Sequence, residues 1–244
     1  MNAKSDIAPN PTLEEFREVV RSRRSVRRFT DEPVPDHVLD DCLELATLAP
    51  NSSNLQPWEF FVVRTPELKA NLAEACLGQN AAKTAPVLIA IVARPDTWRQ
   101  NSSLALKYWP EENMPSIVEK YYSKIAPIHY NQGPLGLFGA AKKAAGLFVG
   151  LSRPVPRGPY SVNEMKIWAT KSTALAAENL MLALRAHGYD SCPMEGFDEY
   201  RVRRLLKLPR KGLVTMVMAA GKRSDKGVYN RQYRFDRDSM VHYL

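Results

Sequence analysis

Ser22-Arg23-Arg24-Ser25-Val26-Arg27-Arg28-Phe29 and, one helical stretch further on, Ala49-Pro50-Asn51-Ser52-Ser53-Asn54-Leu55-Gln56-Pro57-Trp58 are the two runs around which the chain is organised. The first gathers four guanidinium groups and two hydroxyls, more anion-binding capacity than a solvated helix end requires. Arginine offers a planar fork of donors and serine a directional hydroxyl, and alternation along the run lets one set converge while the other points away. A phosphate matches that donor set. The second run is dense in amides and hydroxyls and holds no acid and base pair, so it suits the edge of a polar heterocycle better than proton transfer. Together they point to a phosphorylated ring cofactor.

Working outward, Thr12 can cap a helix to about Ser22, since Leu13, Phe16, Val19 and Val20 recur at helical spacing and deliver the arginine run. After the extended Asp31-Glu32-Pro33-Val34-Pro35 segment, Val38, Leu39, Cys42, Leu45 and Ala46 pattern a second helix that stops before Pro50. Phe60 to Val63 reads as a buried strand, followed by Thr65 as a cap and Pro66 opening a helix to about Leu77. Pro86 to Ala93 is continuously apolar and β-branched, as a central strand covered on both faces should be. Residues 96–163 are irregular, with many aromatics and repeated Pro and Gly, and read as a helical excursion covering a pocket. Leu135 to Phe138 and Gly146 to Val149, around Lys142 and Lys143, also have the composition of helices that lie on membranes; the pocket cover is preferred. A long helix runs from about Glu164 to His187 with Ile167, Trp168, Leu175, Leu180 and Leu184 as its apolar stripe, ended by Gly188. A helix over 198–206, a strand over 213–220 and a polar tail from Arg223 to Leu244, with aromatic anchors, complete the chain.

The length and a composition of 45% hydrophobic and 25% charged residues fit one α/β core carrying an insertion, without a linker between two halves. The net charge of +8 raises a nucleic-acid reading. Its distribution argues against one, because Arg201, Arg203, Arg204, Lys207, Arg210 and Lys211 fall on a solvated helix and its exit. Cys42, Cys76 and Cys192 have neither a CxxC spacing nor a neighbouring histidine, so neither a disulfide framework nor a metal site is expected. The first residues lack an apolar leader, and no run approaches the roughly 20 apolar residues of a membrane span. A cytoplasmic protein with no membrane and no nucleic-acid partner is the expectation.

Arg-Arg-Ser-x-Arg-x-Phe, then Ala-Pro-x-Ser-x-Asn-x-Gln-Pro-Trp, then Cys192-Pro193-Met194-Glu195-Gly196-Phe197-Asp198, in this order over most of the chain, resembles the FMN-dependent nitroreductase family. The resemblance implies a three-layer α/β/α fold of the α+β class with a central mixed, mostly antiparallel sheet; it is weakest over 96–163, where the aromatic pattern itself suggests a helical lid, and the polar tail over 223–244 reads as a C-terminal arm. The same resemblance implies a single domain over 1–244 that forms a homodimer with FMN at the interface. Electrons would come from NADPH or NADH and leave to a small-molecule acceptor such as a nitroaromatic or quinone. By the resemblance, Arg23, Ser25 and Arg27 hold the phosphate and pyrimidine edge; Pro50, Ser52, Ser53 and Asn54 reach across the dimer, with Asn51 and Gln56 beside them. Pro193, Met194, Glu195 and Gly196 face the flavin ring, and one of Gln79, Asn80 and Lys83 donates to its pyrimidine. Arg231 and Arg234 form a basic pair on the phosphate, Gln232 being a rival for one place. Trp109, His129, Tyr130 and Phe138 are candidate substrate contacts.

Blander readings stand beside these. Arg24, a possible further phosphate ligand, alternates with the proposed ligands like Arg28 and equally suits a surface charge; Cys192 suits a small buried residue, and Glu195 a capping carboxylate. No side chain is expected to be catalytic in itself, since the flavin carries the chemistry at N5. Rival functions are a reductive dehalogenase or another specialised flavin enzyme of the same superfamily, and, from a different class, a flavin store without turnover.

Overall fold

A computed structural model describes residues 12–244. Four strands form the sheet: β1 (Trp58–Val63), β2 (Val87–Ala93), β3 (Asp190–Met194) and β4 (Leu213–Gly221), in the order β1-β2-β4-β3. Every pairing between these strands is antiparallel. The parallel component is an isolated bridge from Ser25 to Ser191. Among the described residues ten α-helices accompany the sheet: α1 (Leu13–Ser22), α2 (Asp36–Thr47), α3 (Pro66–Ala75), α4 (Asn80–Thr84), α5 (Trp98–Lys107), α6 (Ser116–Lys120), α7 (Ala126–Tyr130), α8 (Leu137–Val149), α9 (Val162–Ala186) and α10 (Glu199–Leu205). Tyr121–Ile125 is a π-helical turn joining α6 to α7.

The period-2 alternation of the strands builds two cores. Leu88, Ala90, Cys192, Met194, Val217 and Ala219 face one side with Leu72, Ala75, Ala81 and Val202 of α3, α4 and α10. Val87, Ile89, Ile91, Met216, Met218 and Ala220 face the other with Leu39, Cys42, Ala177, Leu180 and Leu184 of α2 and α9. All of β2 is buried, which explains its unbroken apolar run. Each fully buried Leu or Ile there contributes about 1.5–3 kcal/mol.

Several expectations shift. β3 was not foreseen as a strand because it contains Pro193. It lies at a sheet edge, where a residue without an N–H removes no ladder bond on its free side. Thr12 and Thr65 precede their helices without a side-chain cap bond, whereas Ser161 does cap α9 by accepting from the Glu164 N–H. α1 buries none of its residues: Leu13, Phe16 and Val20 are exposed, as are Ile167 and Leu175 of α9. The stripe of α9 that enters the core is Trp168, Ala176, Ala177, Leu180 and Leu184. Small alanines there let the helix lie close to the sheet.

Candidate functional site

Arg23 leaves the helical region (φ −63°, ψ 126°), ending α1, while its N–H still bonds the Val19 carbonyl at 3.0 Å. The following run is held extended between β3 and the turn after β4. Val26 N–H donates to Ser191 O at 3.0 Å, Arg27 N–H to Gly227 O at 2.7 Å, and Thr30 N–H to Lys222 O at 2.8 Å. Val26 is wholly buried, so its extended neighbours Ser25 and Arg27 point to the opposite side. Arg23, Arg24 and Ser25 line a cavity of about 190 Å³ together with Arg231, Gln232, Tyr233 and Arg234. Its lining carries four guanidinium groups and no carboxylate. Arg24, which suited a surface charge, lines the cleft and donates to the Asn230 carbonyl, tying the tail to the arginine run. Gln232 lines it too, so the basic pair and its rival share one wall.

Arg27 turns away from this cleft towards β3, where its Nη1 donates to Cys192 Sγ at 3.3 Å. Burial pushes the Cys192 thiol up and Arg27 only partly offsets this, so the sulfur is a neutral packing group. Met194 is buried in the core, which leaves its backbone alone for a ligand, while Pro193 is half-buried and Glu195 and Gly196 are exposed at the strand's end. Gln79 Nε2 donates to the Gly196 carbonyl at 2.7 Å and to the Cys76 carbonyl at 3.1 Å, so this amide holds the Glu195-Gly196 loop. Asn80 Nδ2 donates to the Tyr229 hydroxyl at 3.0 Å. Of the three rival pyrimidine donors, Lys83 is the one whose side-chain amine makes no hydrogen bond or ion pair among the described residues.

The second run forms a strained loop: Ser53, Asn54 and Gln56 have φ of 61°, 48° and 43°. Residues with a Cβ pay for such backbone in conformational energy unless other contacts hold it. Here Asn51 Oδ1 accepts from the Gln56 N–H at 2.7 Å, and the insertion supplies three tyrosines. Tyr130 OH bonds Ser52 Oγ at 3.0 Å and Ser53 Oγ at 2.8 Å, Tyr121 OH bonds Ser53 Oγ, and Tyr122 OH donates to Ser53 O at 3.0 Å. Tyr130 is therefore not an accessible substrate contact. It is fully buried among Trp98, Trp168 and Ala169, and burial pushes its phenol up. Its motif position gave no sign of this, because an aromatic in an irregular segment reads the same whether it lines a cleft or braces a loop.

Trp109 lines a larger cleft of about 730 Å³ with Asn54, Leu55, Gln56, Tyr108 and Tyr122. Its buried indole N–H has no partner. Phe138 is partly exposed, with Lys142 Nζ 5.4 Å from its ring centre. Among the described residues, no hydrogen bond or ion pair joins the 50–56 loop to the arginine cleft or to Glu195 and Gly196. Asn54, Leu55 and Gln56 of that loop line one cavity and the arginine run lines another, with no lining residue in common.

His129 is half-buried, and desolvation first, then the Lys142 ammonium, lower its pKa below the ordinary 6.5. A depressed histidine is neutral in the fold and protonates more readily when unfolded. Stability is therefore full above pH 6.5 and falls as pH drops through 6.5 toward the lower folded value. His129→Gln is expected to flatten the thermal midpoint across that window; a wild-type slope in the variant would refute the assignment.

Asp190 went unnoticed in the sequence. Its buried carboxylate accepts from Arg223 Nε at 2.6 Å, from Arg223 Nη2, and from Arg185 Nη1 at 3.1 Å. It anchors the start of the tail at the head of β3, next to the arginine cleft.

The chain thus combines a three-layer α+β fold with a cleft of four guanidinium groups, a donor set that suits an anion. The family model described as "Nitroreductase family" matches residues 20–222, and the chain belongs to that family. A protein named NADH dehydrogenase from Thermus thermophilus is 30% identical over 217 residues, covering 88% of this chain and 90% of its own length. Protein DrgA from Synechocystis is 32% identical over 213 residues, covering 85% and 84%. Among solved structures, a putative nitroreductase from Exiguobacterium sibiricum in complex with FMN superposes with a TM-score of 0.71 at 25% identity, over 94% of this chain and 97% of that one.

Proposed function

We propose that this protein is an FMN-dependent NAD(P)H oxidoreductase of nitroreductase type, alternating reduction by a nicotinamide with reduction of a nitroaromatic, quinone or similar acceptor at one site. The observation that carries this reading is the cleft of Arg23, Arg24, Ser25, Arg231 and Arg234, whose donor chemistry fits a phosphomonoester. The family and the FMN held by its Exiguobacterium relative support the choice of ligand.

When bound, FMN supplies hydride acceptance and donation at N5. The chain's own residues bind and orient it. The arginine cleft would hold the phosphate, and Arg27 and Lys83 would supply positive charge that stabilises the reduced, anionic flavin. The Glu195-Gly196 backbone, held by Gln79, would offer its amides to the ring. The 96–163 segment is a lid that brings Trp109, His129 and Phe138 to the acceptor, and 223–244 is an arm, within a single unit; residues 1–11 of the expected 1–244 span lie outside the described residues.

That the 50–54 loop and the arginine cleft share no bond within one chain supports a homodimer, one protomer's loop completing the cleft of the other. The exposed Leu13, Phe16 and Val20 of α1, with Ile167 and Leu175 of α9, supply an apolar face for that contact. No helix among the described residues is long and apolar enough to cross a membrane, and the site needs only soluble reactants. A yellow dimeric holoprotein that oxidises NADPH or NADH only when a nitroarene or quinone is added is the expected result. Tight FMN binding without turnover of either nicotinamide would make the protein a flavin store instead.

A further inference from the structure

α8 is a helix turned with its apolar side outward. Its inner face is fixed by Gly139, Lys142 and Gly146. A Cβ at Gly139 would lie 1.8 Å from the Tyr160 carbonyl oxygen, and one at Gly146 would lie 2.7 Å from the Tyr160 hydroxyl, so residues 156–160 press directly against the helix backbone. Lys142, between them, points inward. Its ammonium donates to the carbonyls of Ile128 at 3.1 Å, His129 at 2.7 Å and Pro159 at 3.3 Å. This anchorage leaves no freedom to roll the helix. At 100° per residue the opposite face then consists of Leu137, Ala140, Ala141, Ala144, Leu147 and Phe148, and all six are exposed. Leu137 is 69% exposed, Leu147 56% and Phe148 76%; Leu135 just before the helix and Leu151 just after it are 99% and 87% exposed.

The charges within this stretch of sequence have one sign, and the nearest acid, Glu164, lies on the inner side, where it acts on Lys142 and accepts from the Tyr160 N–H. Between Glu119 and Glu164 the sequence contains no Asp or Glu, while Lys120, Lys124, Lys142, Lys143, Arg153 and Arg157 fall in the same interval. Lys143 flanks the apolar face and Arg153 follows its end, both exposed. A second copy of this chain would bring the same cations to the contact, whereas an anionic bilayer brings the opposite charge. A helix of 13 residues is about 20 Å long, too short to span hydrocarbon and suited to lying in its interface with aliphatic and phenyl groups immersed.

We propose that α8 and its flanks dock the protein peripherally on an anionic lipid surface, with Leu135, Leu137, Leu147, Phe148 and Leu151 inserted at the level of the headgroups and Lys143 and Arg153 paired with lipid phosphates. The protein sits on the bilayer and does not cross it. The inference stands on the shape and charge of this segment and is independent of the flavin reading.

Full-length protein is mixed with sedimentable vesicles of phosphatidylglycerol and phosphatidylcholine in equal parts, and with vesicles of phosphatidylcholine alone. The wild type is expected to pellet with the first and not with the second, and to be released by added salt. Lys143→Gln with Arg153→Gln is expected to weaken the anionic-vesicle affinity about thirtyfold. Leu147→Glu with Phe148→Glu is expected to weaken it at least about a hundredfold. Both pairs lie on exposed positions, and an unchanged circular dichroism spectrum and thermal midpoint confirm that the fold is kept. Three results overturn the proposal: a wild type that stays in the supernatant with anionic vesicles, equal binding to neutral vesicles, or a Leu147→Glu, Phe148→Glu protein that loses dimerisation while keeping its vesicle affinity, which would assign the face to a second copy.

Discussion

Replacing Arg23 and Arg234 together by alanine is expected to raise the dissociation constant for FMN at least about a hundredfold, since a hydrogen bond to a charged group is worth about 1.5–3 kcal/mol and two such groups are removed from one cleft. The two side chains reach that cleft by different routes. Arg23 follows the last turn of α1, and Arg234 arrives from the tail; both line the same cavity. The cavity lining holds no carboxylate, and the one ion pair lost is the long contact of Arg23 Nε with the half-exposed Glu178 at 3.9 Å, which contributes little, so removing the cations should loosen the ligand without unfolding the protein. Fluorescence titration of FMN with the apoprotein measures the effect. Arg204→Ala, which removes the same charge from an exposed position on α10, is the control and should shift the constant less than about twofold by the screening of distant surface charge. Equal losses in the variant and the control would mean that overall charge, and not this cleft, governs binding.

That cleft was largely legible in the sequence because its information is local. Arg23, Arg24 and Ser25 are consecutive, and extended backbone with Val26 buried turns Ser25 outward, while Arg24 is kept at the cleft by its bond to the Asn230 carbonyl. The arrival of Arg231 and Arg234 at the same place depends on Asp190 and the turn after β4, a long-range matter on which spacing is silent. The fold was legible wherever burial is two-sided, as in β2, and illegible in β3, where one proline at an edge masks a strand. Gln79, Asn80 and Lys83 could not be separated by residue type, since all three are polar donors. They separate only when Gln79 is seen to hold Gly196 and Asn80 to hold Tyr229. The tyrosines that brace Ser52 and Ser53 come from 68 to 78 residues away, and no local pattern connects them.

Asp190→Ala is expected to be the most damaging single change for stability, because one buried carboxylate serves two guanidinium groups. Its side chain is 2% exposed, against 24% for Arg185 and 38% for Arg223. Breaking a buried ion pair costs about 3–5 kcal/mol, and the partial exposure of both arginines favours about 3 kcal/mol, since water can reach the charges left behind. For a chain of this size that corresponds to a thermal midpoint lower by roughly 6–12 °C. The losses should rank Asp190→Ala above Arg223→Ala and Arg223→Ala above Arg185→Ala. Removing Arg185 leaves both Arg223 contacts, and Arg223 also reaches the Ser22 carbonyl at 3.4 Å. Arg223 further joins the end of α1 to the first residue of the tail, so Arg223→Ala should weaken FMN binding more than its stability loss alone predicts. Calorimetry and FMN titration on the three variants decide it: if Arg185→Ala proves as costly as Asp190→Ala, the carboxylate's service to Arg223 is not what holds this corner together.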